Sequence, residues 1–267
     1  QARGVEFREQ TKVTGLLRDD RGDICGVKSE GGELEADLVV CADGSPSRFS
    51  TDDSPRTTIQ TLMGWYQGTG FTDEEAWMIW DGELDGYYFW VFPEPCGVFN
   101  VGLTIPGDAP NAKRLKELFA ELLDRHCALE LQGAEQIGKL RGHPAVVTNR
   151  VGKIAERRGV WVGEAARLVM PGTVEGIGFA LESGLRGAEF IHRHMDRRRG
   201  LSPLACRRYQ LGTAKSMLPK FWAGQAWVKA ARSPRARAVG QSLLTGRLRT
   251  VIDKTLYALL GDESRAA

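Results

Sequence analysis

Apolar positions in the first 45 residues fall in short runs broken by turn residues, a pattern that predicts strands. Val5-Glu6-Phe7 is the first run and residues 12–17 the second. Residues 18–23 carry the Asp and Gly of a hairpin turn. Residues 24–28 return, Gly31-Gly32 turns again, and residues 33–36 lead into residues 37–42. This last run is continuously apolar, as a parallel strand buried on both faces would be, and it ends in Asp43-Gly44.

Residues 51–60 are polar and rich in Pro, Ser and Thr, which predicts a linker. Three aromatic, Gly-punctuated runs follow at 77–80, 86–93 and 97–105. They predict an antiparallel sheet with a bulky apolar face, either plain core or the wall of a long apolar pocket. Leu115, Leu118, Phe119, Leu122 and Leu123 repeat at helical spacing, so residues 110–132 read as an amphipathic helix with Gly133 as its C-cap. Gly142-His143-Pro144 is expected to break the chain before a strand near 145–148. Residues 159–163 read as a short buried strand. A Gly-rich loop and a helix over 177–195 follow, with Ala180, Leu181, Gly184, Leu185 and Ala188 on a close-packing face. Residues 201–267 are helical in period, and Leu243, Leu248, Val251, Ile252, Leu256 and Leu259 form part of a stripe.

Composition narrows the class. Hydrophobic residues are 42% and charged residues 26% of 267, which excludes a disordered or fibrous chain. No run of about 18 apolar residues offers a membrane span. Five scattered cysteines without CxxC spacing argue for a reducing compartment and against a zinc site. No histidine has a carboxylate or cysteine at ligand spacing, so no metal is expected. Net charge is +2, but it is unevenly spread. Residues 186–267 hold 17 Lys+Arg against 5 Asp+Glu, a net of +12, and residues 1–185 hold 19 against 29, a net of −10. Such asymmetry suggests an anionic partner or a solvated cationic face. The chain opens Gln1-Ala2-Arg3 and its first methionine is Met63, which reads as a start inside a longer protein.

Two strand ends carry candidate chemistry. One is Ala42-Asp43-Gly44-Ser45-Pro46-Ser47; the other is Gly163-Glu164-Ala165-Ala166, with its loop to Glu175-Gly176-Ile177-Gly178. In α/β sheets ligands bind beyond such ends. A carboxylate there can accept from a ribose or ribitol hydroxyl. Glycines allow close backbone approach, and a helix N-terminus favours an anionic ring edge.

Together these segments resemble the FAD-binding motifs of the para-hydroxybenzoate-hydroxylase-like flavoprotein superfamily. Gly163-Glu164-Ala165-Ala166, Pro171, Glu175-Gly176-Ile177 and Ala180-Leu181-Glu182-Ser183-Gly184 look most like the geranylgeranyl reductase family. Its Tyr-x-Trp-x-Phe-Pro motif stands here as Tyr88-Phe89-Trp90-Val91-Phe92-Pro93, followed by Asn100-Val101-Gly102-Leu103. The resemblance covers about residues 1–190. It implies an α/β (α+β) fold: the C-terminal part of a Rossmann-like FAD domain, interleaved with an antiparallel-sheet substrate domain, plus a helical C-terminal tail. The implied divisions are 1–55 and 156–195 for the FAD domain, 56–155 for the substrate domain and 196–267 for the basic helical region.

The implied activity is FAD-dependent saturation of carbon–carbon double bonds in an isoprenoid chain, with NADPH or NADH as donor. Asp43 and Gly44 would lie near the phosphate–ribitol region. Gly163, Glu164 and Ala165 would adjoin the ribitol, and Pro171, Glu175, Gly176 and Ile177 the isoalloxazine. Tyr88, Trp90, Phe92 and Pro93 would line the isoprenoid pocket. A hydrocarbon substrate needs an apolar wall, and the redox step belongs to the cofactor, so no catalytic side chain is assigned.

Departures are informative. Glu164 stands where the family usually has Asp, Arg167 where it has a small residue or His, and Glu94 where Lys is frequent. No Gly-x-Gly-x-x-Gly unit occurs, so the resemblance implies a chain expected to begin where the family is already about a hundred residues in. Two other readings stay open: a flavin monooxygenase or halogenase of the same superfamily, and a non-catalytic fragment or lipid-binding module. The expected setting is cytoplasmic or peripheral to a membrane through the basic C-terminal region. Nucleic acid is not expected, since the arginines are not interleaved with base-stacking aromatics.

Overall fold

The computed structural model describes residues 4–50, 52, 57–107 and 111–236. The described residues form eleven strands and three α-helices, divided between two units. The first unit comprises the described residues before Thr57, then Val146–Val169 and Glu175–Leu218; the second comprises Thr57–Ala145, Met170–Val174 and the described residues from Pro219 on.

In the first unit, β1 (Val13–Arg18), β2 (Ile24–Ser29) and β3 (Gly32–Glu35) form an antiparallel meander. Asp19 Oδ1 accepts from the amides of Arg21 and Asp23 and closes the first hairpin. β4 (Val39–Cys41) belongs to a second sheet, with β10 (Ala155–Glu156) and β11 (Gly159–Trp161) of this unit. β4 pairs in parallel with β11, Val39 opposite Gly159 and Cys41 opposite Trp161. Helix α2 (Ile177–His194) packs on that sheet: a methyl at Gly187 would lie 3.2 Å from Val162. The core joins Val160, Val162, Phe190, Leu201, Ala205 and Cys206. Phe190 and Tyr209 stack at 4.4 Å.

The second unit is built on a five-stranded sheet in the order β6-β7-β8-β5-β9. Its strands are β5 (Thr57–Gln67), β6 (Trp77–Ile79), β7 (Phe89–Glu94), β8 (Val98–Pro106) and β9 (Glu135–Val147). Asn111 caps helix α1 (Ala112–Cys127) by accepting from the Arg114 amide. Alternation along β7 and β8 sends Phe89, Val91, Val101 and Leu103 into one core with Leu118 and Phe119 of α1. Burial of each such side chain contributes about 1.5–3 kcal/mol. Helix α3 (Pro203–Arg232) has its first part in the first unit and its part from Pro219 in the second.

Several sequence expectations are corrected. Val5-Glu6-Phe7 is not a strand but exposed coil, since these two apolar residues among charges pair with no strand among the described residues. The run over 37–42 makes a parallel strand, but one that is not buried on both faces. β4 is the sheet's edge among the described residues, and Val40 is 47% exposed. The polar stretch 51–60 is not wholly linker, because β5 starts at Thr57 and pairs Ile59 with Pro106. Helix α1 ends at Cys127, well before Gly133, because its apolar stripe ends there and Leu129 is already exposed. Gly142-His143-Pro144 does not break the chain but runs inside β9. Among the described residues β9 is an edge strand, where a missing proline N–H is tolerated. The stripe from Leu243 to Leu259 lies outside the described residues.

Candidate functional site

The parallel pairing of β4 with β11 has a direct consequence in the first unit. Both strands point the same way, so the loop after Cys41 and the turn after Trp161 leave the same end of the sheet. That end is where open α/β sheets bind ligands. Sequence reasoning placed Asp43, Gly44, Gly163, Glu164 and Ala165 on these two connections, and the structure brings the connections together.

Asp43 shapes its own loop. Its Oδ1 accepts from the Ser47 hydroxyl at 2.9 Å and its Oδ2 from the Arg48 amide at 3.0 Å. Ser47 Oγ in turn accepts from the amides of Phe49 and Ser50. Gly44 holds φ +75°, and a side chain there would meet nothing within 4 Å. The loop therefore turns sharply and leaves open space at Gly44.

Residues Gly163–Ala166 form a short 3-10 turn. Gly163 donates its amide to Ser183 Oγ at 2.8 Å, and Ser183 is fully buried under α2. A methyl at Gly163 would lie 3.1 Å from Ala180, so glycine lets turn and helix meet. Ala165 is buried. The Glu164 carboxylate lies beside Gly176, where an added methyl would be 3.9 Å from its Oε1. Glu175 Oε1 accepts from the Gly178 amide at 2.6 Å and caps the start of α2. Ile177, the first helical residue, is exposed. Glu164, Glu175, Gly176 and Ile177 thus cluster at one helix N-terminus, where backbone amides point outward.

Two departures from the family pattern have structural roles. Arg167 is buried at φ +58° and pairs with Asp52 Oδ2 at 3.2 Å. Gly152 makes room for that carboxylate, since a methyl there would come 2.3 Å from Asp52. Glu94 accepts from the Trp65 indole at 2.9 Å. Burial, with Asp43 and Glu156 nearby, pushes the Cys41 thiol up to about 12, so it stays protonated near neutral pH.

The second unit carries the aromatic residues. Tyr88, Trp90 and Phe92 alternate with the core residues Phe89 and Val91, so they lie on the sheet face opposite α1. Trp90 stacks with Phe92 at 6.1 Å and meets Tyr88 at 6.0 Å. Pro93 continues the strand, half-buried, opposite Phe99. The Tyr88 hydroxyl donates to the carbonyl of Thr173, two residues beyond Pro171. Pro171 is buried and its carbonyl faces Gly224, where any side chain would collide.

Four members of this face lie outside the residues assigned to the site from sequence. Trp80 meets Tyr88 at 6.0 Å and Trp227 of α3 at 5.4 Å. Asn100 accepts from the Trp90 indole at 2.6 Å. Gly102 lies opposite Trp90, and a methyl there would be 2.2 Å from the indole ring. The last two had a readable signal, because Asn100-x-Gly102 faces Trp90-x-Phe92 once the hairpin register is set. Trp80 and Trp227 had none beyond being aromatic.

Comparison with known proteins follows the same lines. No family profile matches the chain. It is 28% identical over 202 residues to digeranylgeranylglycerophospholipid reductase 1 of Methanosphaera stadtmanae, covering 70% of this chain and 49% of that protein. It is 29% identical over 203 residues to digeranylgeranylglycerophospholipid reductase of Methanoculleus marisnigri, covering 70% of this chain and 48% of that protein. The chain spans about half the length of the curated relatives it matches. Among solved structures, a geranylgeranyl bacteriochlorophyll reductase-like protein from Thermoplasma acidophilum aligns at a TM-score of 0.72 and 20% identity, over 93% of this chain and 69% of that one. A flavin-dependent brominase aligns at 0.67 and 17%, over 96% and 71%. The chain is thus similar in sequence to digeranylgeranylglycerophospholipid reductases over about half their length, and it shares its fold with a geranylgeranyl bacteriochlorophyll reductase-like protein and a flavin-dependent brominase.

Proposed function

We propose that this chain carries the flavin-side and substrate-side elements of an enzyme that reduces carbon–carbon double bonds in an isoprenoid lipid chain. The observation that carries the reading is the parallel β4–β11 pair, which delivers Gly44, Glu164 and the start of α2 to one end of a sheet. The donor set there suits the flavin half of FAD. Gly44 offers open backbone, Glu164 an acceptor for a polyol hydroxyl, and the α2 N-terminus amides for an anionic ring edge. FAD, when bound, supplies hydride chemistry that no side chain of this chain offers. NADPH or NADH is the proposed donor.

The chain's own residues then bind and orient. Glu175 holds the first turn of α2 by taking the Gly178 amide. Tyr88 fixes the Thr173 carbonyl and with it the loop that follows Pro171. Trp80, Tyr88, Trp90, Phe92 and Pro93 offer a hydrocarbon chain an apolar surface with few polar groups, as such a substrate requires. The Trp90 indole N–H is already taken by Asn100, so it presents no unmet donor to a lipid.

Anaerobic incubation with FAD, NADPH or dithionite, and a geranylgeranyl lipid tests the reading. The expected product gains two hydrogens per double bond by mass spectrometry. In a parallel aerobic incubation with NADPH, oxygen consumption with no saturated product would favour a monooxygenase or halogenase instead. Absence of both flavin binding and lipid turnover would leave only a lipid-binding module.

A further inference from the structure

We propose that the first unit carries a docking surface for an anionic lipid bilayer, formed by the turn 196–200 and the exposed face of α3 up to Lys215. The inference rests on the lipid-substrate reading, and it names a surface that reading does not require.

The turn presents Arg197, Arg198 and Arg199, all exposed, in a row. Asp196 offsets one of these three positive charges, so the turn keeps a surplus of positive charge, and its carboxylate also braces the turn. Its Oδ1 accepts from the amides of Arg198 at 2.8 Å and Arg199 at 2.7 Å. The turn is also pinned from below. Arg157 donates to the Arg199 carbonyl at 2.7 Å, and Arg158 donates to the carbonyls of Arg197 and Arg198. Gly200 closes against the Arg157 carbonyl, where a side chain would collide. Three guanidinium groups are thus displayed on a backbone that is fixed before any partner arrives.

Helix α3 follows at once. It contains Arg207, Arg208, Lys215, Lys220, Lys229 and Arg232 and not one Asp or Glu. In its first part Leu204, Arg208, Leu211 and Lys215 recur at helical spacing on one face, with Arg207 beside them. Leu204 is 60% exposed and Leu211 61% exposed. Arg207, Arg208 and Lys215 have no carboxylate partner among the described residues. A cleft of about 330 Å³ adjoins this face, lined by Lys153, Glu156, Arg157, Arg207 and Gln210 among others. Its one carboxylate, Glu156, is already paired with Arg18 at 3.0 Å and Lys153 at 2.8 Å.

Charge complementarity selects an anionic partner, and the two exposed leucines between the cations select its kind. A nucleic acid backbone rewards cations and gains nothing from leucine. An anionic bilayer rewards both, since basic residues lie at the headgroups while apolar side chains enter the acyl boundary. A surface of this composition also places the protein where a prenyl lipid is found.

Co-sedimentation of the full chain with vesicles of 30% phosphatidylglycerol in phosphatidylcholine, about 0.1 M salt, tests the proposal. Each basic residue near such a surface contributes about a fivefold gain in partitioning. Arg197→Gln/Arg198→Gln/Arg208→Gln is therefore expected to weaken binding by about 100-fold. Leu204→Asn/Leu211→Asn is expected to weaken it at least tenfold while leaving the salt dependence intact. Lys113→Gln/Lys116→Gln on α1, which removes charge elsewhere, is expected to leave binding unchanged. Melting curves of each variant confirm that it folds.

The proposal is overturned if the folded arginine variant binds like the parent, or if the α1 control loses as much. It is also overturned if binding is lost only on removing the residues beyond 236. Retention of binding by the leucine variant, with competition by duplex oligonucleotide, would assign the surface to nucleic acid. Failure of the isoprenoid assay with intact vesicle binding would refute the enzymatic reading alone, and the converse would refute this surface alone.

Discussion

Trp90 shows how one side chain sets the demands on its neighbours. Its ring lies over Gly102 and its indole N–H is taken by Asn100, and both partners come from the facing strand β8. Gly102→Ala forces the ring off its site and is expected to cost about 1–3 kcal/mol in denaturant unfolding. Asn100→Leu leaves a buried donor unpaired and is expected to cost about 1–3 kcal/mol as well. The two effects act on one ring, so the double variant is expected to cost less than their sum. Asp81 presents a different case. It caps the turn Gly82–Leu84 and meets Arg125 at 2.8 Å and His126 at 2.9 Å. Burial pushes its carboxyl up, but the Glu83 amide, His126 and Arg125 outweigh that and hold it below the usual range. Its folded pKa is depressed, so the stability it contributes is present above the unfolded value of 3.8 and lost as pH falls through the folded value. Asp81→Asn is expected to destabilise the protein near pH 7 and to match the parent once pH drops well below that range. Thermal melts at several pH values check this.

At the scale of elements, helix α2 has two unlike faces. One packs Phe179, Ser183, Gly187 and Phe190 inward. The other leaves Ile177, Leu181 and Leu185 exposed at 79, 67 and 71%. An exposed apolar stripe of this kind suits contact with another molecule, and we expect it to let copies of this chain associate. Leu181→Gln/Leu185→Gln keeps good helix formers in place and is expected to weaken self-association about tenfold or more in sedimentation velocity. The same stripe shows what pattern reading can and cannot deliver. The expected helix over 177–195 is observed almost residue for residue, because a 3.6-residue period belongs to the helix alone. The antiparallel aromatic sheet was legible through its β-favouring aromatic runs and the glycines that punctuate them. The expected close-packing face was not, since what covers Leu181 is decided by the rest of the molecule. β4 failed likewise: a continuous apolar run reads as doubly buried, yet an edge position leaves Val40 exposed. Pro144 misled in the opposite direction, because only the sheet order reveals that β9 is an edge where proline is harmless. Within the candidate site, the residues were legible as motifs, but their work was not. Asp43 binds its own loop, Glu175 caps a helix, and the Tyr88 hydroxyl holds a carbonyl. Such partners come from tertiary geometry and leave no trace in spacing.

Among the described residues, each of the two units gathers a hydrophobic core. One gathers Phe89, Leu103, Phe119 and Leu122, the other Val160, Phe190, Leu201 and Cys206, and each unit draws on separated stretches of chain. A protein with two cores need not unfold in one step, so a single melting temperature would average over both. Core truncation identifies the transitions. Phe119→Ala is expected to remove about 3–5 kcal/mol from the second unit and Leu201→Ala about 2–5 kcal/mol from the first. The proposed ligands should divide the same way. A flavin contacting Gly44, Glu164 and the start of α2 stabilises the transition that Leu201→Ala lowers. A prenyl lipid on the Trp80–Trp90 face stabilises the one that Phe119→Ala lowers. At a hundredfold excess over its dissociation constant each ligand contributes about 2.7 kcal/mol to the unit it binds. Differential scanning calorimetry of the two variants, with and without each ligand, reads both effects in one experiment. A lipid that raises only the transition sensitive to Leu201 would place the substrate on the first unit and remove the aromatic face from the site.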